Sequence, residues 1–107
     1  MPDDYRIRKV LQLVEEDPSR TVLELARMVN LSSSRVGHLF RLQVGTDLES
    51  YVRNARLERA AKLLQQTELS IKEISARVGY SHTSSFDRGF RSKFDVDPVD
   101  YRRQHRS

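Results

Sequence analysis

The chain has no cysteine and no tryptophan, and its 107 residues include only four glycines and three prolines. Without cysteine there is no disulfide framework, no zinc-thiolate cluster and no thiol nucleophile, which fits a reducing, cytoplasmic setting. No run approaches the roughly 20 apolar residues of a membrane span, and Met1-Pro2-Asp3-Asp4 does not resemble a signal peptide. Sustained period-two alternation is missing too, so no β-sheet is expected. His38, His82 and His105 lack metal-ligand spacing to one another. The serines of 32–34 and 81–85 have no His-Asp arrangement near them in sequence. No enzymatic activity, metal or cofactor is therefore expected.

What is present is charge, unevenly placed. The chain holds 19 basic and 15 acidic residues, a net +4, with a pI near 9.8. Residues 1–54 balance at 8 basic and 8 acidic; residues 55–107 hold 11 basic and 7 acidic, so the whole excess lies in the second half. Fifteen of the basic residues are Arg, whose planar fork matches phosphate and guanine by two parallel hydrogen bonds. Such a balance permits a polyanionic partner without requiring one.

Periodicity reads as helix almost throughout. Ile7, Val10, Leu11 and Val14 form an apolar stripe that ends near Asp17-Pro18. Thr21-x-x-Glu24, Thr46-x-x-Glu49 and Ser70-x-x-Glu73 each have the form of a capping box. Asp97-Pro98 reads as a cap followed by proline at the first helical position, and Ser32 and Ser81 can cap two further helices. The expectation is an all-α fold of seven helices at about 5–16, 22–29, 33–43, 47–66, 71–78, 82–93 and 98–104.

Sliding the chain against itself exposes an internal repeat. At an offset of 50, Phe40-Arg41 lies over Phe90-Arg91, Asp47 over Asp97, Tyr51 over Tyr101 and Arg53 over Arg103. Upstream the offset is 49: Thr21 over Ser70, Glu24 over Glu73, Leu25 over Ile74, Val29 over Val78 and Asn30 over Gly79. One extra residue therefore lies between Tyr80 and Phe90. Each copy reads as a helix-turn-helix, with small Ala26 or Ser75 where two helices cross and a left-handed turn residue, Asn30 or Gly79, between them. The expected organisation is a first lobe over about 5–46 (helix-turn-helix 22–43), a linker helix over 47–66, and a second lobe over 67–104 (helix-turn-helix 71–93). A linker of that length spans roughly 30 Å, against about 34 Å between successive major-groove faces on one side of B-DNA. One monomer could then occupy two adjacent grooves.

The residues Arg56-Leu57-x-x-Ala60-x-x-Leu63-Leu64, Ile71-x-x-Ile74-Ser75-x-x-Val78-Gly79-Tyr80, Phe86-x-x-x-Phe90-x-x-x-Phe94 and Pro98-x-x-Tyr101-Arg102 resemble the AraC/XylS family of bacterial transcription regulators. The likeness runs from about residue 5 to 103. Asp95 and Asn30 stand where that family usually has Gly, Ser75 where it has Ala, and Tyr80 where it has Phe. The resemblance implies a two-lobed domain that binds double-stranded promoter DNA, puts its third and sixth helices into major grooves and recruits RNA polymerase as an activator. Family members commonly carry a ligand-sensing domain before this one. A first helix near residue 5 leaves no room for it, so either a short stand-alone protein or one domain of a longer chain is expected.

Helical spacing places Ser34, Gly37, His38 and Arg41 opposite the inward-facing Val36, Leu39 and Phe40; the repeat carries that stripe to Ser84, Asp87, Arg88 and Arg91. Base contacts implied by the resemblance fall on Ser34, Gly37, His38, Ser84, Ser85 and Arg88. Arg88 suits a bidentate guanine contact and His38 is next; a surface ion pair with Asp87 or Glu73 is the other use for Arg88. Arg35, Arg41, Arg53, Arg91 and Arg103, with the helix starts at Ser32 and Ser81, are the candidate phosphate contacts. Two other functions remain open at this point: a helical protein-interaction co-regulator, and an architectural DNA binder without sequence preference.

Overall fold

The computed structural model describes residues 2–106. Seven helices make up the described chain: α1 (Tyr5–Glu16), α2 (Val22–Met28), α3 (Ser33–Val44), α4 (Leu48–Gln66), α5 (Ile71–Arg77), α6 (Thr83–Phe94) and α7 (Pro98–Gln104). Among the described residues there is no strand, and no helix is long and apolar enough to cross a membrane.

Local chemistry explains where the helices start. Thr21 and Ser70 both form complete capping boxes, each hydroxyl accepting from the amide three residues on while Glu24 or Glu73 accepts from the cap amide. Those hydrogen bonds hold both glutamates below the usual carboxylate range. Ser32 caps α3 and Asp97 caps α7, with Pro98 at the first helical position. Two expected caps are displaced. Asp47, not Thr46, caps α4: its carboxylate accepts from Ser50 N at 2.8 Å and from the Ser50 hydroxyl at 3.1 Å. An ionised acceptor beside the helix dipole outcompetes the preceding hydroxyl. Nor does Ser81 cap α6. His82 occupies that position and makes no side-chain cap bond, because the extra residue of the second copy moves the helix start along by one.

The turns need left-handed backbone. Gly79 has φ 104° and Gly45 φ 93°, while Asn30 (φ 59°) and Asp95 (φ 65°) adopt the same region without being glycine. Asn and Asp are the non-glycine residues that tolerate it best.

The chain divides into two compact units, one ending at Ala55 and the other beginning at Arg56. The boundary falls inside α4. The first unit is built on Ile7, Val10, Leu13, Val14, Leu25, Ala26, Val36, Phe40, Leu48 and Val52. The second is built on Leu57, Ala60, Leu64, Ile74, Val78, Phe86, Phe90 and Tyr101. The offset of 50 thus extends further than the motif comparison reached: Ile7 matches Leu57, Val10 matches Ala60 and Val14 matches Leu64, all buried. Helix α4 is the last helix of one copy run into the first helix of the next. Each copy also keeps an edge-on aromatic pair, Phe40–Tyr51 at 5.4 Å and Phe90–Tyr101 at 5.2 Å between ring centroids, worth about 0.5–1.5 kcal/mol beyond buried area.

Candidate nucleic-acid interface

In the first unit, α2 and α3 are joined by Val29, Asn30, Leu31 and Ser32. The turn is pinned by Leu31 N donating to Ala26 O at 2.9 Å and Asn30 N donating to Arg27 O at 3.1 Å. Helix α3 buries Val36 and Phe40 completely, which rolls its other side outward. Ser34, His38 and Arg41 are exposed there, as are Ser32 and Arg35 near the helix start. Gly37 lies among them, and a Cβ built on it would meet nothing within 4 Å. Nothing inside the protein therefore requires glycine at this position.

The second unit repeats the design with different chemistry. Tyr80 N donates to Ser75 O at 3.0 Å, matching the bond across the first turn. Arg56, on α4, donates from Nη1 to Gly79 O at 3.2 Å, so a guanidinium braces this turn. The sequence comparison assigned Arg56 to the family motif but gave it no task. Phe86 and Phe90 are fully buried, and Ser84, Arg88 and Arg91 are exposed on the opposite side of α6, with Ser85 half-buried. Ser81 is exposed just ahead of the His82 cap. Without a side-chain cap, the first-turn amides of α6 are left for solvent or a ligand.

The cations differ in how they are held. Arg88 enters no ion pair among the described residues, so the intramolecular use weighed for it is not seen. Arg91 Nη2 stands 3.5 Å from Asp97 Oδ2. Arg41 occupies the matching place near Asp47, whose carboxylate is held low first by the Ser50 amide, then by the Ser50 hydroxyl, with the Arg41 charge adding to it. Arg103 is paired with Asp100 and exposed; Arg53 is exposed on α4. Among the described residues no group of three or more His, Asp or Glu side chains could hold a metal. Such an arrangement offers hydrogen-bond donors, hydroxyls and positive charge on one helix face per unit.

Comparison with known proteins decides the family. The family described as "Helix-turn-helix domain" matches residues 25–104, and one described as "Winged helix-turn-helix DNA-binding" matches residues 3–40. The chain belongs to the AraC/XylS family. Transcriptional activator NphR of Rhodococcus sp. is 33% identical over 103 residues, which cover 96% of this chain and 30% of that protein. The C-terminal domain of AraT, a response regulator from Geobacillus stearothermophilus, superposes with a TM-score of 0.86 at 28% identity, covering 97% of this chain and 88% of that one. The DNA-binding domain of the global transcriptional factor AdpA, solved in complex with a target DNA, has a TM-score of 0.83 at 22% identity over 94% of this chain and 92% of that one; this last likeness concerns the fold. The chain spans about a third of the length of the curated relatives it matches first. Those AraC/XylS relatives are regulators and not enzymes, in agreement with the expectation drawn from the sequence.

Proposed function

We propose that this AraC/XylS domain reads promoter DNA with α3 and α6 in adjacent major grooves and acts as an activator that recruits RNA polymerase. Base contacts would come from Ser34, Gly37, His38, Ser84, Ser85 and Arg88. Arg35, Arg41, Arg53, Arg91 and Arg103, with the helix starts at Ser32 and Ser81, would hold phosphates. The observation carrying the proposal is Arg88: exposed, on the outward stripe of a helix anchored by two buried phenylalanines, and without an ion pair among the described residues. A guanidinium so placed suits bidentate recognition of guanine O6 and N7. The activator role is supported by a relative named as an activator. The domain would work in the cytoplasm, on the nucleoid.

Selection of bound duplexes from a random library tests this. The expected result is one asymmetric motif about two turns long, bound with submicromolar affinity that falls steeply with salt. Arg88→Ala should weaken binding to the selected site by about 1–3 kcal/mol and relax the preference at one position. Enrichment of no motif would refute the sequence-reading function and leave architectural binding; absence of duplex binding at low salt would leave the protein-interaction alternative.

A further inference from the structure

The two copies use one matching arginine in opposite ways. In the second unit Arg56 reaches from α4 to the turn and donates to Gly79 O at 3.2 Å. The offset of 50 places Arg6 of α1 over Arg56, and the offset of 49 places Asn30 over Gly79. Arg6 does not make the equivalent bond. Its Nε and Nη2 donate instead to the Asp4 carboxylate at 3.1 and 2.9 Å. Asp4 is held there by Gln43 of α3, whose Oε1 accepts from Asp3 N at 2.9 Å and from Asp4 N at 3.1 Å. The second copy has Asn54 and Lys93 at the places of Asp4 and Gln43. With its arginine drawn aside, the first unit keeps an open cleft of about 490 Å³ between the first half of α1 and the end of α2.

The walls of the cleft are cationic and apolar together. Helix α1 contributes Tyr5, Arg8 and Lys9, α2 and the turn contribute Met28 and Asn30, and among the described residues no carboxylate lines it. Lys9 makes no hydrogen bond or ion pair among the described residues. Arg8 uses only Nη1, on the carbonyls of Pro2 and Asp3, both at 2.9 Å. Tyr5 is 71% exposed and Met28 50%. Helix stability does not account for these cations, because α1 has no acidic residue in its first turn and no basic one in its last, the reverse of what the helix dipole favours. In the second copy Ala55, Glu58 and Arg77 stand at the places of Tyr5, Arg8 and Met28, so the combination belongs to the first unit alone. None of these residues is among the proposed DNA contacts. Uncompensated positive charge selects a negative partner, and a thioether adapts to an inserted aromatic or branched side chain. An open cleft with exposed apolar walls suits a chain laid across it better than a small ligand, which needs most of its surface enclosed. A phosphate backbone would meet the cations but leave Tyr5 and Met28 without an apolar contact. We propose that this cleft docks an acidic segment of a partner protein, with one apolar side chain against Met28 and flanking carboxylates on Lys9 and Arg8. The docking does not depend on the DNA reading proposed above.

The test is fluorescence anisotropy of a labelled peptide, fluorescein-EEDFLDEE-amide, titrated with the whole chain, each variant being checked for helicity by circular dichroism. The wild type should bind it at tens of micromolar or tighter, and more weakly as salt rises. Lys9→Glu reverses an exposed charge and Met28→Ser removes the apolar contact; each should weaken binding about fivefold or more. A peptide in which two serines replace the phenylalanine and leucine should lose as much against the wild type. The double substitution Arg88→Ala with Arg91→Ala, on α6, should leave peptide binding unchanged. Failure of the wild type to bind the peptide, or binding that neither cleft variant weakens, overturns the proposal. So does a loss confined to the α6 variant, which would make the peptide a mimic of nucleic acid on that helix. A random-sequence duplex that loses as much affinity to Lys9→Glu as the peptide does would assign the cleft to phosphate and overturn it as well.

Discussion

Replacing Gly37 by Ala should move the stability of the free protein and its affinity for DNA in opposite directions. Gly37 sits inside α3, its φ is not positive, and a Cβ there meets no atom within 4 Å. Nothing is strained by the new methyl, while the unfolded chain loses conformational freedom and the helix gains propensity. The gain is about 0.5–1 kcal/mol. With roughly 2.1 cal/mol/K of unfolding entropy per residue, 1 kcal/mol raises the midpoint of a domain this size by about 4 °C. Urea and thermal melts followed by circular dichroism measure it, the urea slope staying constant. On the proposed binding mode the same methyl would enter the space through which the helix backbone approaches base edges, and affinity for the selected site should fall about tenfold or more, ~1.4 kcal/mol. Loss of stability in the free variant would refute the packing argument. A variant that gains in both measurements would show that α3 does not approach the bases at residue 37.

Asp95→Gly should stabilise the second unit by about 0.5–1 kcal/mol in thermal melts, since it relieves a φ of 65° and removes a negative charge from the C-terminus of α6. Arg102→Ala should cost about 1–3 kcal/mol by calorimetry, because Arg102 donates to Leu64 O and to Thr67 O, both at 3.1 Å, where α4 ends. Acid should weaken the fold in a defined window. Asp4 is held at about 2, first by its side-chain bond to Arg6 and then by the Arg6 amide, and Asp47, Glu24 and Glu73 are lowered by cap hydrogen bonds. Lowered folded-state values mean that this stability is complete above the unfolded values near 4 and lost as pH falls toward 2. A stability that stayed flat from about pH 5 to 2 in denaturant titrations would contradict it.

The helices were legible because their starts carry hydroxyl or carboxylate caps and their buried faces recur at three and four residues. The two misplaced caps show where that reading stops. Thr46-x-x-Glu49 and Asp47-x-x-Ser50 are both competent, and a local motif cannot rank them; the repeat could have, since Asp47 lies over Asp97, which caps α7. Ser81 fails for a related reason. It aligns with Ser32 at offset 49, but the extra residue shifts the register before α6 begins. In α1 the stripe named Leu11, whereas Leu13 is buried and Leu11 only partly so, because the unit closes over a slightly different face than the four-residue pattern implies. The outward stripe on α3 followed from period, and the repeat carried it to α6. The freedom of Arg88 did not, for it depends on which acids of other elements come near, and sequence spacing carries no such distances.

The two copies have diverged by compensated exchanges that become visible only with the elements in place. Leu31 and Leu39 are both partly buried against the first core; at the matching places the second unit has Tyr80 and Gly89. A Cβ on Gly89 would stand 3.2 Å from the Tyr80 hydroxyl oxygen and 3.7 Å from Leu57, so the larger ring after the turn occupies volume that the helix residue gave up. Tyr80 in turn packs edge-on against Phe86 at 5.5 Å. The outer surfaces exchanged in a different currency. Leu23, Met28 and Leu42 are exposed in the first unit, and the same positions in the second hold Lys72, Arg77 and Ser92. Interior volume was kept while surface charge was not, which is the pattern expected if both copies must fold alike but meet DNA differently. On the proposed binding mode the second unit would contribute most of the salt-dependent attraction, and the first, with short Ser34 and Gly37 on its stripe, would depend more on close backbone approach and the shape of the groove. Neutralising Arg91 and Arg103 together should therefore lower the salt slope of binding more than neutralising Arg35 and Arg41. An equal loss from the two pairs, measured by fluorescence anisotropy across a salt series, would show that the units share the phosphate load.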